Sequence, residues 1–358
     1  MDKSFDPSSV LNFSAGPSAI PLSIKKKFIQ EFERPISIFE RSHKSADIEQ
    51  LWAYACAQLR ALLSIPDRFE ILLMPGGARL QISSVFLNLS HKQRTGYLLT
   101  GYWTRWAIRE AKRMQQSVIP LICQQQSWDH LALDSLYYCD NETLAGSYFQ
   151  INDRQGVPCV IVDMTSSFLC CPVNFEAHDI IIVGCQKNLG LPGCSLVLYD
   201  RLKIKPHTLC PSSLNYEIQS RSKSQETTPS VMHSWMIANY IEWIQENTLE
   251  LIIKKREEIA RALYLFLDQS LLFINQIAKE FRSTITITFN FKPEFNHLKD
   301  IFNQLLHEEG FFYLKAHQNF SDGYRISLYN SLIEQDMTRF IKFLYHFEER
   351  QYVAERKA

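Results

Sequence analysis

Between residues 48 and 63 the apolar side chains Ile48, Leu51, Trp52, Ala55, Cys56, Leu59, Leu62 and Leu63 recur at intervals of three and four, which places them on one helix face. Ile65-Pro66 ends that helix, because proline cannot continue the hydrogen-bond ladder. The run FEILLM (69–74) has the length and apolar character of a buried strand, and Pro75-Gly76-Gly77-Ala78-Arg79 turns it into a second helical pattern that reaches Leu87. The unit returns in looser form at 97–100, before a helix carrying Trp103, Trp106, Ala107 and Ile108, and as apolar strands at 159–162, 180–183 and 194–199. Short buried strands alternating with helices predict an α/β fold with a mostly parallel sheet covered on both faces. Such sheets gather ligands at the carboxyl ends of their strands.

Past residue 230 the texture changes. A long helical stretch is predicted over 231–268, with Trp235, Ile237, Ile241, Ile244, Ile252 and Leu263 on its apolar face. Residues 284–291 then alternate strictly, Ile285, Ile287, Phe289 and Phe291 against Thr284, Thr286, Thr288 and Asn290, as in a half-exposed antiparallel strand. A helix near 296–307, short strands at 311–314 and 325–329, and a terminal helix from 333 to about 350 complete a smaller α+β unit. The stretch 212–229 reads as the one long polar loop.

A chain of 358 residues, 46% apolar and 21% charged, can bury a large core with neither disulfides nor metals. Its 38 basic and 38 acidic side chains cancel, so no overall field gathers nucleic acid or anionic lipid, and any anion must be held by a local cluster. No apolar run approaches the ~20 residues that span a bilayer, and the N-terminus is polar and acidic, unlike a signal peptide. The nine cysteines show no CxxC pair and no Cys/His ligand spacing, and most lie in apolar runs as small hydrophobes. These features predict a cytoplasmic protein without a metal site and with neither membrane nor nucleic acid as partner.

Three positions carry chemistry. Gly184-Cys185-Gln186-Lys187-Asn188-Leu189-Gly190 follows the apolar strand 180–183. A lysine at the end of a buried strand is placed for partial desolvation, which lowers its pKa and suits it to Schiff-base chemistry; in an open loop it would be a solvated cation. Asp163 closes the run 160–162 and reads either as a helix N-cap or phosphate-loop neighbour, or as a buried carboxylate one strand away from that lysine. The second role is what pyridoxal phosphate requires, since its ring nitrogen must stay protonated to act as an electron sink. The Gly76-Gly77-Ala78-Arg79 turn presents N–H groups at a helix start as a phosphate cup, although two glycines also serve any tight strand-to-helix turn. It is neither a Walker loop nor GxGxxG, and no GxSxG elbow signals a serine hydrolase.

Taken in order, NFSAGPSAIP (12–21), SHK (42–44), PGGARLQ (75–81), GYW (101–103), CDNETLAG (139–146), DMTSS (163–167), GCQKNLGLPG (184–193), CPSSLNY (210–216), TTPS (227–230) and YRISLYN (324–330) resemble the phosphoserine aminotransferase family, in the class V branch of fold-type I pyridoxal-phosphate enzymes. The resemblance covers almost the whole chain. It implies a large cofactor domain over 18–255 with a mostly parallel seven-stranded sheet between helices, a small α+β domain from 1–17 and 256–358, and pyridoxal 5'-phosphate as cofactor. It further implies that Lys187 forms the Schiff base and then shuttles the substrate proton, and that Asp163 pairs with the pyridinium nitrogen. Trp103 would stack on the ring and Thr143 would bond its phenolic oxygen, with the phosphate against Ala78, Arg79 and Gln186. Thr227 and Thr228 would reach the cofactor phosphate of a partner subunit, making the protein a homodimer with active sites at the interface. Arg325 would clamp the substrate α-carboxylate with its planar fork. Outside the resemblance, Trp103 reads equally as core, Thr143 as a turn residue and Arg325 as a strand residue paired with a surface acid.

The chain departs from the family where the substrate phosphate is held. Family members carry two His-Arg pairs there, beside the arginine matched by Arg79; here the pairs are His43-Lys44 and His317-Gln318. A hydrogen bond to a charged group contributes about 1.5–3 kcal/mol, so each lost arginine would weaken phosphate binding roughly 10- to 150-fold. The family's usual Asn-Thr pair is Thr227-Thr228, and Met164 replaces an aromatic after Asp163. The implied reaction is transamination between glutamate and 3-phosphohydroxypyruvate, giving O-phosphoserine and 2-oxoglutarate in serine biosynthesis, with the phospho-oxo acid of vitamin B6 biosynthesis as a further substrate. The altered pocket suits a less charged oxo acid as an alternative, and a catalytically inactive cofactor-binding regulator is a second; a cysteine desulfurase is disfavoured because none of this chain's nine cysteines sits in a glycine- or serine-rich mobile loop.

Overall fold

Seven short segments pair into the sheet that organises the chain; the computed structural model describes residues 10–89, 93–123, 128–314, 323–332 and 336–355. In chain order the strands are β1 (Phe69–Pro75), β2 (Arg94–Leu98), β3 (Ser117–Leu121), β4 (Ser135–Cys139), β5 (Cys159–Asp163), β6 (Ile180–Gly184) and β7 (Cys194–Asp200). They lie in the order β1-β7-β6-β5-β4-β2-β3. β7 runs antiparallel to β1 and β6, and every other pairing is parallel.

β4, β5 and β6 are buried along their whole length, which is why they read as continuous apolar runs without alternation. Successive side chains still divide between two cores. Val160, Val162, Ile181 and Val183 pack with Trp235, Ile237 and Ile241 of the helix Val231–Asn247. Ile161, Ile180 and Ile182 pack with Val85 and Phe86 of the helix Ala78–Asn88 and with Ala107 and Ala111 of the helix Tyr102–Arg113. The sheet is thus covered on both faces.

A second, three-stranded antiparallel sheet joins β8 (Phe273–Ile274), β9 (Thr286–Phe291) and β10 (Tyr324–Ser327) in that order. Phe273, Phe289 and Phe291 pack there with Phe302 of the helix Lys299–Glu308 and Phe347 of the helix Met337–Glu355. Leu11–Asn12 pairs in parallel with Phe311–Phe312, so the start of the described chain joins this part of the molecule. We keep 1–17 with 256–358 as the proposed small domain and 18–255 as the large one, a division that falls inside the helix Leu249–Gln269.

Four features differ from the sequence pattern. The helical stretch predicted over 231–268 is two helices, Val231–Asn247 and Leu249–Gln269, broken at Thr248 with φ of 60°. The apolar period continues on both sides, so one left-handed residue leaves no trace in it. β3 contains Pro120, which an edge strand tolerates because one side of its backbone has no sheet partner. The polar face of β9 is half-exposed at Thr288 and Asn290, as the alternation predicts, but Thr286 is fully buried, where its Oγ1 accepts from Asn141 Nδ2 at 3.2 Å. The loop expected over 212–229 contains the helix Tyr216–Arg221, capped by the Asn215 side chain, which accepts the N–H groups of Glu217 and Ile218. All nine cysteines are free, and no described helix is long and apolar enough to cross a membrane.

Candidate active site

The carboxyl ends of the parallel strands open on a cavity of about 900 Å³. Of the residues singled out from the sequence, it is lined by Ala78, Arg79, Trp103, Thr143, Asp163, Gln186, Lys187 and Arg325, which come from the end of β5, from segments following β1, β2, β4 and β6, and from β10.

Lys187 follows β6 and is buried. Burial pushes its amine pKa down, and the nearby Asp163 charge works against that shift. Its surroundings include a strap that the sequence motif 12–21 named without a role. Ser18 donates its N–H to Gln186 O at 2.9 Å and its hydroxyl to Lys187 O. Gly16, at φ of +133°, lies where a Cβ would stand 3.4 Å from Lys187 Cε. Tyr329 donates to Ala15 O at 2.9 Å, and its ring centroid is 5.9 Å from Lys187 Nζ.

Asp163 ends β5, between Cys139 of β4 and Ile182 of β6 in register. Its Oδ1 accepts the Thr165 N–H at 3.0 Å while the residue lines the cavity, so it caps the following turn and also faces the lysine's cavity. Burial raises its pKa, opposed by the hydrogen bonds from Thr165 and by the Lys187 charge.

Trp103 opens the helix Tyr102–Arg113 and donates its indole N–H to Thr143 Oγ1 at 3.0 Å. The Arg79 guanidinium sits 5.3 Å from the Trp103 ring centroid and 5.4 Å from that of Trp106. Among the described residues no carboxylate pairs with Arg79, so aromatic faces hold it and its charge stays available to an anion. Arg325 donates from Nη1 to Thr143 O at 2.8 Å, and burial lowers its pKa. Among the described residues nothing partners the buried Oε1 of Gln186, and a Cβ on Gly184 would lie 2.5 Å from that oxygen.

Other candidates lie elsewhere. Thr227 and Thr228 precede the helix Val231–Asn247 outside the cavity lining, with Thr228 exposed. His43 and Lys44 sit on a surface segment after the 3-10 turn Ile38–Glu40 and do not line the cavity either. His317 and Gln318 lie outside the described residues. Sequence reasoning passed over Glu142, Gly101, Ser18 and Tyr329. Each sits in a quoted motif, and only contacts between distant segments give it a part.

The donor set fits pyridoxal phosphate. The helix Ala78–Asn88 begins without a side-chain cap, leaving first-turn N–H groups for an anion. The orphaned Gln186 Oε1, a buried carboxylate, a desolvated lysine and an indole share that cavity. A seven-stranded sheet with β7 antiparallel and a lysine after β6 defines a fold-type I pyridoxal-phosphate enzyme. The chain belongs to the class V aminotransferase family, whose model matches residues 10–339. It is 32% identical to a phosphoserine aminotransferase of Bacillus cereus and 31% identical to one of Legionella pneumophila, in each case over 95% of this chain and 98% of the relative. Among solved structures it is similar to the phosphoserine aminotransferase of Bacillus circulans subsp. alkalophilus, with a TM-score of 0.86, 28% identity, and coverage of 96% of this chain and 99% of that one. The pyridoxal-phosphate-bound enzyme from Trichomonas vaginalis gives 0.83 at 27% identity, covering 94% and 99%. The expected fold, aminotransferase activity and cofactor therefore hold.

Proposed function

We propose that the protein moves the amino group of glutamate to 3-phosphohydroxypyruvate, forming O-phosphoserine and 2-oxoglutarate in serine biosynthesis. The observation that carries this reading is that two guanidinium groups, Arg79 and Arg325, line the cavity of Lys187, and among the described residues neither is neutralised by a carboxylate. Both substrates carry an α-carboxylate and a second anionic group, so each offers one anion to Arg325 and one to the Arg79 side.

Pyridoxal phosphate, when bound, supplies the electron sink that accepts negative charge from the substrate α-carbon. Lys187 then takes and returns the α-proton, a task suited to an amine whose pKa is lowered by burial. Asp163 keeps a proton at the ring nitrogen. Thr143 Oγ1 already accepts from Trp103, so its own hydrogen is left to donate toward the phenolic oxygen. The first-turn N–H groups of Ala78 and Arg79, with Gln186, hold the phosphate.

Thr227, Thr228, His43 and Lys44 lie outside this chain's cavity; for them to join an active site as the family resemblance implies, a second protomer would bring them, and on that reading the protein is a homodimer. Nine free thiols suit a reduced cytoplasm. A second reading, a less charged oxo acid, is favoured by Lys44 and Gln318, which stand where the family resemblance implies arginine. Turnover of the phospho-oxo acid of vitamin B6 biosynthesis belongs to the first.

Two measurements test this. The visible absorption of the purified holoprotein must change when glutamate is added; a colourless protein that cannot be reconstituted sinks the reading. Comparing kcat/KM for 3-phosphohydroxypyruvate and hydroxypyruvate separates the substrates, equal values favouring the second reading. Gln318→Arg is then expected to improve only the phosphorylated one.

A further inference from the structure

We propose that Glu142 is a positioning residue that sets the angle of the Trp103 ring against the cavity. The inference rests on reading Trp103 as the wall for the cofactor ring. Glu142 is fully buried, yet no cation pairs with it among the described residues. Three donors make four hydrogen-bond contacts to its carboxylate instead. Its Oε1 and Oε2 accept the Trp103 backbone N–H at 3.1 and 3.0 Å, and Oε1 also accepts the Thr104 N–H and the Thr100 hydroxyl, both at 3.2 Å.

This carboxylate caps the helix Tyr102–Arg113, whose own N-cap is Gly101 and has no side chain for the purpose. A negative charge is favoured there by the helix dipole and by the charge-assisted bonds. A serine or aspartate at 101 would serve a cap equally well. The chain instead uses a residue 39 positions past Trp103, and leaves 101 empty to admit it. A Cβ on Gly101 would lie 2.5 Å from Glu142 Cδ and 2.6 Å from Cγ.

What the distant cap adds is a link that a local one cannot. The next residue, Thr143, accepts the indole N–H of Trp103 at 3.0 Å. Two consecutive residues thus grip Trp103 at its backbone and at its ring, and through Thr143 O the same segment holds Arg325. The ring cannot tilt without moving the helix start or breaking one of these bonds. Glu142 has no place among the cavity's lining residues and so acts through Trp103.

The test is a double-mutant cycle between Glu142→Gln and Trp103→Phe, read by pyridoxal-phosphate Kd and by near-ultraviolet circular dichroism of the cofactor-free protein. The glutamine puts an amide donor against the N–H groups. We expect Kd to rise about tenfold, the Trp103 signal, taken as wild type minus Trp103→Phe, to change, and the Glu142→Gln effect on Kd to fall below about twofold in the Trp103→Phe background. Equal effects in both backgrounds, or a folded Glu142→Gln with unchanged Kd and dichroism, overturn the proposal. If Trp103→Phe alone leaves Kd unchanged, the reading of Trp103 fails, while the dichroism still reports the link to Glu142. Glu142→Asp, which keeps the charge one methylene short, is read in the same way if the glutamine variant does not fold.

Discussion

The indole N–H of Trp103 donates to the hydroxyl oxygen of Thr143 at 3.0 Å, and the carbonyl of that same threonine accepts Nη1 of Arg325 at 2.8 Å. One residue after β4 therefore ties an aromatic wall of the large sheet to a guanidinium on the small one. Thr143→Val keeps the shape but removes the hydroxyl, stranding the indole N–H. A buried donor left without a partner costs about 1–3 kcal/mol, so cofactor Kd should rise roughly 5- to 150-fold, while Thr143→Ser stays near wild type. Equilibrium titration of the apoprotein with pyridoxal phosphate checks this.

Lys187 is the proton carrier in the proposed reaction. Lys187→Arg keeps a cation but cannot release its proton at working pH, and Lys187→Ala removes it altogether. Either should lower kcat by about 10²- to 10⁴-fold or more, with far-ultraviolet dichroism unchanged. Activity within tenfold of wild type would remove Lys187 from that role.

Arg325→Lys retains charge but loses the fork, and with it the bond to Thr143 O. The expected result is a fall in kcat/KM for glutamate of about 10- to 150-fold, mostly through KM. Steady-state kinetics at saturating oxo acid would reveal it. A fall in kcat alone would mean that Arg325 does not hold the ground-state carboxylate.

Asp140 is buried beside Ser167, which donates its hydroxyl to Oδ2, while Oδ1 has no partner among the described residues. Burial pushes its pKa from 3.8 to about 8, and Glu142 is likewise pushed up to about 7. Since the folded pKa exceeds the unfolded one, the Asp140 contribution is fully present below about pH 4 and is lost as pH rises to about 8. Asp140→Asn removes that titration and retains an acceptor for Ser167. Its stability relative to wild type should improve between pH 5 and pH 8 by about 3–4 kcal/mol, measured by urea unfolding at both pH values. An equal difference at the two would show that Asp140 does not titrate in that window.

Gly101→Ala would drive a methyl group into Glu142, a clash with a buried side chain that cannot swing aside. Overpacking of this kind costs about 1–3 kcal/mol, and thermal unfolding of the variant measures it.

Much of the site was legible before the fold was known. Asp163 announces itself by closing an uninterrupted apolar run and Lys187 by following one three residues after its strand ends, and in a sheet covered on both faces polar residues at such points lie at the carboxyl edge. Thr143 and Arg325 had no such mark: one lies in a turn, the other in a short strand, and only their order among the family's motifs raised them. Glu142 reads as an ordinary acid beside them, and its burial follows from Gly101 leaving room for it.

By itself the sequence determined the alternation of strands and helices, the lysine and aspartate at strand ends, and the local nature of the charge in a chain with no net excess. Those are properties of a residue relative to its own element, and periodicity records them. Only the tertiary structure decided that β7 enters antiparallel between β1 and β6, that Thr248 breaks one helical stretch into two, and that Thr143 joins Trp103 to Arg325. It also decided that His43, Lys44, Thr227 and Thr228 stay outside this chain's own cavity. The reason is physical: contacts between segments 40 and 182 residues apart depend on how elements pack, and packing leaves no period in the chain.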